Sequence, residues 1–329
     1  MLRRWALEVG FGALGLCPAD GFEAALLRVK SQAELPERRQ LRFFPERDLP
    51  WARSLAVLLW PYAPAALPGK GEVFVDSYYR ASNEAYHAAR ALEARLSDAG
   101  VRVQANVPYP AREAAVRAGL GIIGQNGLLI SPQFGTRTVI ILIATELSAP
   151  QDGDRRPAGS CLRCGRCARA CPGGAIDGQG MSHPERCLRN SMMEGTVVPE
   201  PLRGRMGARL LGCDVCQRVC PMQPAMGQGP CSIALDDLVT CDEARFSQTV
   251  RALAQDIGKN VARPQRLRAQ AALLSANLGR IQDIPVLRQW ALSPFEAVRV
   301  HAAWALEGLG AVKNRASGCP GVDPEGKRD

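Results

Sequence analysis

The 329-residue sequence predicts a mixed α/β fold at the N-terminus, a ferredoxin-like cysteine-rich segment in the middle and an α-helical, HEAT-like repeat at the C-terminus. Three observations carry this expectation. Short apolar runs alternate with helical periodicity over residues 1–150, eight of twelve cysteines crowd between Cys161 and Cys220, and Ala/Leu-rich helical stretches follow Arg263. The length suits about two domains with a sizeable core. With 47% apolar, 22% charged and 5% aromatic residues, the chain is excluded from collagen, coiled coil and wholesale disorder.

In chain order, Val9 to Leu16 (VGFGALGL) is a strand candidate weakened by its three glycines. Ser54 to Leu59 (SLAVLL) and Thr138 to Ile143 (TVIILI) have the length and apolar content of buried strands. Between them, Glu84 to Asp98 sets Tyr86, Ala89, Leu92 and Leu96 at helical spacing, and Glu113 to Ala118 reads as a helix that ends at Gly119. Strands alternating with helices predict a largely parallel, covered sheet. The polar stretch Gln151 to Gly159 reads as a linker, giving units at 1–150, 151–240 and 241–329. In the last unit, Arg266 to Gly279 and Ser293 to Gly310 are helical, the second patterned like an α-solenoid helix. So few repeats must pack on the rest of the chain. The end, from about Ala311 to Asp329, reads as frayed.

Arg3 and Arg4 precede an apolar stretch, but Glu8 interrupts it, no small-x-small cleavage site follows, and Leu16 before Cys17 spoils a lipobox. No run reaches the roughly 18 apolar residues of a membrane-spanning helix. Clustered thiols fit a reducing compartment, so a cytoplasmic location is expected. The net charge is +9, and from Arg245 onward thirteen Lys/Arg stand against seven Asp/Glu. That surplus reads either as a solvated basic face or as a surface for a phosphate-rich partner.

Cys161, Cys164, Cys167 and Cys171, followed by Pro172, form C-x2-C-x2-C-x3-C-P, the bacterial ferredoxin run in which three thiolates hold one 4Fe-4S cluster and the fourth reaches another. Cys213, Cys216 and Cys220, followed by Pro221, repeat the pattern one cysteine short, and Cys187 supplies the missing thiolate. Eight ligands then serve two cubanes: Cys161, Cys164, Cys167 and Cys220 for cluster one; Cys171, Cys187, Cys213 and Cys216 for cluster two. Two zinc sites would also use eight thiolates, but zinc knuckles rarely carry a third cysteine followed by x3-C-P. Cys17, Cys231, Cys241 and Cys319 are left over and read as buried small hydrophobes or free thiols.

Several segments together resemble the epoxyqueuosine reductase family, cobalamin-dependent tRNA-modifying enzymes related to reductive dehalogenases. They are Pro50 to Pro64 (PWARSLAVLLWPYAP), Tyr86 and His87 as part of a D-Y-H motif opening a helix, and Arg117 to Gly124 (RAGLGIIG) with Asn126 as a Gly-rich loop. The cysteine spacing, Gly212 to Pro221 (GCDVCQRVCP) preceded by Arg209, and Val298 to Leu306 (VRVHAAWAL) complete the match, which covers most of residues 1–310. The resemblance implies that electrons pass from a flavodoxin- or ferredoxin-like donor through two 4Fe-4S clusters to cobalamin and on to the substrate. It implies a cobalamin site at Tyr86, His87, Gly119, Gly121, Gly124, Gln125, Asn126 and Leu129, with the glycines letting backbone approach a large flat ligand. The D-x-H-x-x-G signature of base-off corrinoid carriers is absent, and the family leaves the lower cobalt face without a protein ligand. A tRNA partner is implied, to be met by Arg263, Arg266, Arg268 and Arg299.

The sequence departs from the family where chemistry is expected. Counting thirteen residues back from Ala118, the position of the family's proton-donating Asp is Ala105, and no Asp lies between Val101 and Leu147. Ala85 stands for the Asp of D-Y-H, and Gln125 for the loop's Lys. Tyr109 and Glu113 are the candidate replacement acids; Tyr109 reads equally as a packed aromatic between two prolines. Two alternatives stay open. One is a corrinoid and iron-sulfur reductase with a different small molecule or a corrinoid protein as substrate. The other is a non-catalytic dicluster electron-transfer protein.

Overall fold

The computed structural model describes residues 1–31, 40–149, 159–178, 180, 183–193, 197–229, 232–240 and 242–317, with side chains to residue 310. Cys231, Cys241, Cys319 and most of the expected linker lie outside the described residues.

Helix α1 (Leu2–Glu8) leads into β1 (Ala13–Pro18), then α2 (Glu23–Lys30), α3 (Pro45–Asp48), β2 (Ser54–Pro61), β3 (Glu72–Val75) and α4 (Ser77–Asp98). After these come β4 (Val103–Ala105), α5 (Ala111–Arg117), β5 (Ile122–Ile123), β6 (Leu129–Ile130) and β7 (Thr138–Thr145). The main sheet has the order β1-β2-β7-β4, and each neighbouring pair is antiparallel. This corrects the expected parallel sheet. The β2–α4–β4 crossover does leave β2 and β4 running the same way, but β7 inserts between them in the opposite sense. Helices cover both faces: Ala85, Ala89 and Leu92 of α4 pack on Ala56, Leu58 and Ile143, while Ala114 and Ala115 of α5 pack on Leu55, Val57 and Leu142. A strand buried on both faces needs apolar residues at every position, whatever its neighbour's direction. The first strand also shifts, to Ala13–Pro18, because Leu2–Glu8 is helical and Gly10 turns the chain at φ 106°. Cys17 on that strand is fully buried, and burial pushes its thiol up to about 12.

The cysteine-rich segment contributes α6 (Arg166–Ala170), α7 (Leu188–Met193), α8 (Glu200–Arg203), β8 (Arg209–Leu211), α9 (Val215–Arg218), β9 (Ser232–Ala234) and α10 (Asp236–Val239). Strands β8 and β9 flank β3 in a second, three-stranded sheet, so the first unit lends a strand to the segment beyond residue 150. The helical end consists of α11 (Glu243–Ile257), α12 (Pro264–Asn277), α13 (Ile284–Trp290) and α14 (Glu296–Ser317). Helix α14 continues past the point where fraying was expected. One core joins all three parts, with Val73 and Tyr79 against Leu210, Leu238, Phe246, Leu267 and Leu274. Among the described residues no helix is long and apolar enough to cross a membrane.

Candidate active site

Short elements carry or flank the thiols: Cys167 lies in α6 and Cys216 in α9, while Cys187 immediately precedes α7. Arg163 and Gly165 take left-handed backbone at φ 49° and 70°, folding the Cys161–Cys164 loop onto α6, and Cys171 follows the last turn of that helix. Cys161, Cys164, Cys167 and Cys220 line one small cavity together. Cys187, Cys213 and Cys216 line a second, larger one. Burial raises Cys216 well above an ordinary thiol, and the nearby thiols of Cys213, Cys187, Cys171 and Cys167 raise it further. Cys220 is raised by burial and by Cys161 and Cys164. Four thiolates crowded together in a half-buried site repel one another, and cationic iron relieves that repulsion. The four thiols expected for cluster one thus share one cavity and three of the four expected for cluster two share another, while Cys171 Sγ accepts from the amide of Ala175 at 3.3 Å.

The larger cavity, about 440 Å³, lies between the main sheet and the cysteine segment. Its wall combines thiols with Tyr62, Asp76, Tyr78, Arg112, Asn126 and Arg189, and with Thr136, Thr138, Asn190 and Gln217. Asn126, 2% exposed, borders both this cavity and the one around the first four thiols. Gln217 Nε2 donates to the Thr136 carbonyl at 2.8 Å and to the Tyr62 hydroxyl at 3.1 Å. The Arg189 guanidinium sits 4.2 Å above the Tyr78 ring. Asp76 caps α4 by accepting from the Tyr78 amide at 3.0 Å. It is 3% exposed, and burial together with Asp214 pushes its carboxyl up to about 6. Thr138 Oγ1 is buried in the same wall with no protein partner.

The other predicted residues are dispersed. Helix α4 begins at Ser77 rather than Glu84, so Tyr86 and His87 do not open it. They are exposed on its third turn and line a separate groove with Asn83 and Lys259. Gly119 terminates α5 at φ 72°. Gly121 is required by its own hairpin, since a Cβ there would stand 2.3 Å from the Ile130 carbonyl oxygen, and at Gly124 one would meet Ile130 and Asn126. Gln125 borders the cavity of the first four thiols and donates to the Gly178 carbonyl. Leu129 lines the larger cavity.

Tyr109 is 3% exposed and donates to Asp48 at 3.3 Å, and burial and Asp48 push its phenol up to about 12. Glu113 is paired with Arg28 at 2.5 Å. Neither is among the residues lining the larger cavity. Ala105 ends β4, where its amide donates to Glu93 at 2.9 Å.

Of the four predicted phosphate contacts, Arg266 is corrected: it is 6% exposed and donates to the carbonyls of Asn260 and Val261 at 3.1 and 3.0 Å, out of reach of an external phosphate. Arg263 and Arg299 are exposed, and Arg268 stacks 4.2 Å over Phe246 while paired with Glu243. Sequence reasoning missed Asp76, Tyr78 and Arg189. The one signal available was Asp76 directly after an apolar run, which is an N-cap position.

Residues 160–223 match the family of 4Fe-4S double cluster binding domains, which decides for iron-sulfur over zinc in this segment. An epoxyqueuosine reductase of Synechococcus sp. (strain RCC307) is 30% identical over 281 residues, covering 77% of this chain and 82% of the relative. The chain belongs to the epoxyqueuosine reductase family. The epoxyqueuosine reductase of Staphylococcus aureus (strain NCTC 8325 / PS 47) is 27% identical across 92% of this chain and 86% of its own length. The fold agrees with the crystal structure of an epoxyqueuosine reductase with an epoxyqueuosine-modified tRNA-Tyr stem loop, at TM-score 0.76 and 22% identity over 94% of this chain and 89% of that one. As an epoxyqueuosine reductase family member, the protein is an oxidoreductase built on a double 4Fe-4S cluster domain.

Proposed function

We propose that this chain reduces epoxyqueuosine in tRNA, using two 4Fe-4S clusters and cobalamin, with Asp76 as the proton donor. One observation carries the reading. A single cavity holds three thiols of cluster two and a buried carboxyl in the same wall. Cluster one takes Cys161, Cys164, Cys167 and Cys220, and cluster two takes Cys171, Cys187, Cys213 and Cys216.

The cavity residues suit a corrinoid. Neutral polar groups at Asn126, Thr136, Asn190 and Gln217 match amide side chains around a macrocycle, and the unpartnered Thr138 hydroxyl is free for one of them. The clusters supply one-electron storage and the corrinoid supplies the reducing nucleophile when bound. Asp76 holds a proton against the cavity, because burial favours its neutral form, and Arg189 is pinned over Tyr78 at the same wall. Opening an epoxide leaves an oxygen anion that must take up a proton, and a positioned acid contributes about 10²- to 10⁴-fold. Arg263, Arg268 and Arg299 are the phosphate contacts on a HEAT-like layer, supported by the packing of Leu287, Ala302 and Leu309 against Ala272 of α12. The thiol chemistry suits the reducing cytoplasm.

The test is anaerobic incubation of the cluster-loaded protein with cobalamin, chemical reductant and an epoxyqueuosine-bearing tRNA stem loop. Queuosine should form, and loss of the epoxide should require both cofactors. If corrinoid absorbance appears on the protein but the epoxide persists, the substrate assignment fails. A second reading, a different substrate for the same cofactors, is favoured by one observation: the position expected for the family's acid is Ala105, a buried strand residue.

A further inference from the structure

The two sets of thiols differ in what surrounds them. Three of those assigned to cluster two, Cys187, Cys213 and Cys216, face the internal cavity, whereas Cys164 of cluster one is exposed and the neighbouring Leu162 is 62% exposed. Arg163, Arg166 and Arg169 surround this point, all exposed. Arg169 is fixed by donating to the Cys164 carbonyl at 3.1 Å. Arg163 and Arg166 stand outside every ion pair among the described residues. A shallow recess of about 480 Å³ between Arg166, Arg169, Arg218 and Cys220 continues the face. From Gly159 to Gly178 the chain carries these three arginines against the single acid Asp177.

Resting on the reading of this chain as a cluster-fed reductase, we propose that the Leu162 face, ringed by Arg163, Arg166 and Arg169, is the docking surface for an acidic one-electron donor protein, a flavodoxin or ferredoxin with carboxylates around its redox centre. Each encounter oxidises the donor by one electron and reduces cluster one by one, with no bond or proton changing hands, and two encounters supply the electron pair for one substrate. An apolar centre inside a ring of unpaired cations suits a small, transient, electrostatically steered complex. RNA phosphate would also meet the arginines. The coincidence of the charge with the exposed thiol of a cluster favours a redox protein.

The experiment compares the cluster-loaded wild type with Arg166→Gln and with Arg166→Glu. It measures the affinity for an acidic bacterial flavodoxin, the rate at which that reduced flavodoxin bleaches the clusters, and the rate with dithionite. Charge reversal should weaken binding and slow flavodoxin-driven bleaching by about tenfold or more, leaving the dithionite rate unchanged. The wild-type flavodoxin rate should fall as ionic strength rises from about 0.05 to 0.3 M. A flavodoxin rate indifferent to both salt and charge reversal overturns the proposal. So does loss of tRNA stem-loop affinity in the variants with flavodoxin reduction intact, which would make the face an RNA contact. The wild-type salt series tests the electrostatic docking even if a variant fails to load clusters. Dithionite-driven turnover tests the reductase reading separately, since it bypasses the donor.

Discussion

Asp76 combines two tasks that point in different directions. As the cap of α4 it accepts from the Tyr78 amide, and as a buried carboxyl beside Asp214 it is driven towards its neutral form. Asp76→Asn separates them, because Asn caps as well as Asp but carries no transferable proton. In fully loaded enzyme this change should lower the rate of substrate reduction about 10²-fold or more while cluster and corrinoid absorbance stay at wild-type levels. The acid must be protonated to act, and the groups around it are Asp214, Arg189, Arg137 and Tyr78. Wild-type single-turnover rates should therefore fall as pH rises through about 6, and that limb should vanish in the variant. A variant that keeps the limb would assign the proton elsewhere. Tyr109 is a poor alternative, since a phenol pushed up to about 12 and already bonded to Asp48 gives up its proton reluctantly. Tyr109→Phe should leave the turnover rate within about twofold of wild type.

At the scale of elements, α14 is tied down by a histidine bonded to backbone through both ring nitrogens. His301 is fully buried; its Nε2 accepts from the Val198 amide and its Nδ1 lies against the Ala269 carbonyl, both at 2.9 Å. This joins α14 to α12 and to the loop before α8. Burial holds the imidazole down at about 4, against 6.5 for an ordinary histidine. The folded value lies below the unfolded one, so its contribution is present above pH 6.5 and is lost as pH falls towards 4. His301→Leu should cost about 1–3 kcal/mol at pH 7.5, from the orphaned amide and carbonyl, and should flatten the acid side of the denaturation profile. The short β5–β6 hairpin depends instead on shape. Gly121→Ala would drive a methyl against the Ile130 carbonyl and should lower the thermal midpoint without altering cluster content.

Across the whole molecule, the N-terminal unit and the cluster segment are held together by more than proximity. Arg137 on the main-sheet side reaches Asp214 at 3.2 Å, and Asp214 also receives Arg218 at 2.8 Å, with Arg137 and Asp214 only 4% and 1% exposed. Removing one member of so buried a pair strands charge in a medium that solvates it badly. Arg137→Met should cost about 3 kcal/mol in a denaturant titration and loosen the cavity wall shared with cluster two. The same interlocking accounts for what could be read along the chain. Cysteine spacing is a local code, so the double 4Fe-4S cluster domain was legible, as were the apolar strands β2 and β7 and the helical tail. Strand direction depends on which strand inserts between which, and β7 enters between β2 and β4 across an interval no local pattern reports.

The sequence by itself determined the chemistry this protein can hold, a double 4Fe-4S cluster domain, because the number and spacing of cysteines are properties of the chain. Only the tertiary structure decided where that chemistry is exercised. It turned Tyr86 and His87 out to a separate groove, packed Tyr109 and Arg266 away, and carried Asp76 to the wall shared with cluster two. The physical reason is that β3 pairs with β8 and β9, strands more than a hundred residues further along, and this pairing sets the start of α4 against the cysteines. Asp76 and the cysteines meet through folding across distance, which neighbouring residues do not encode.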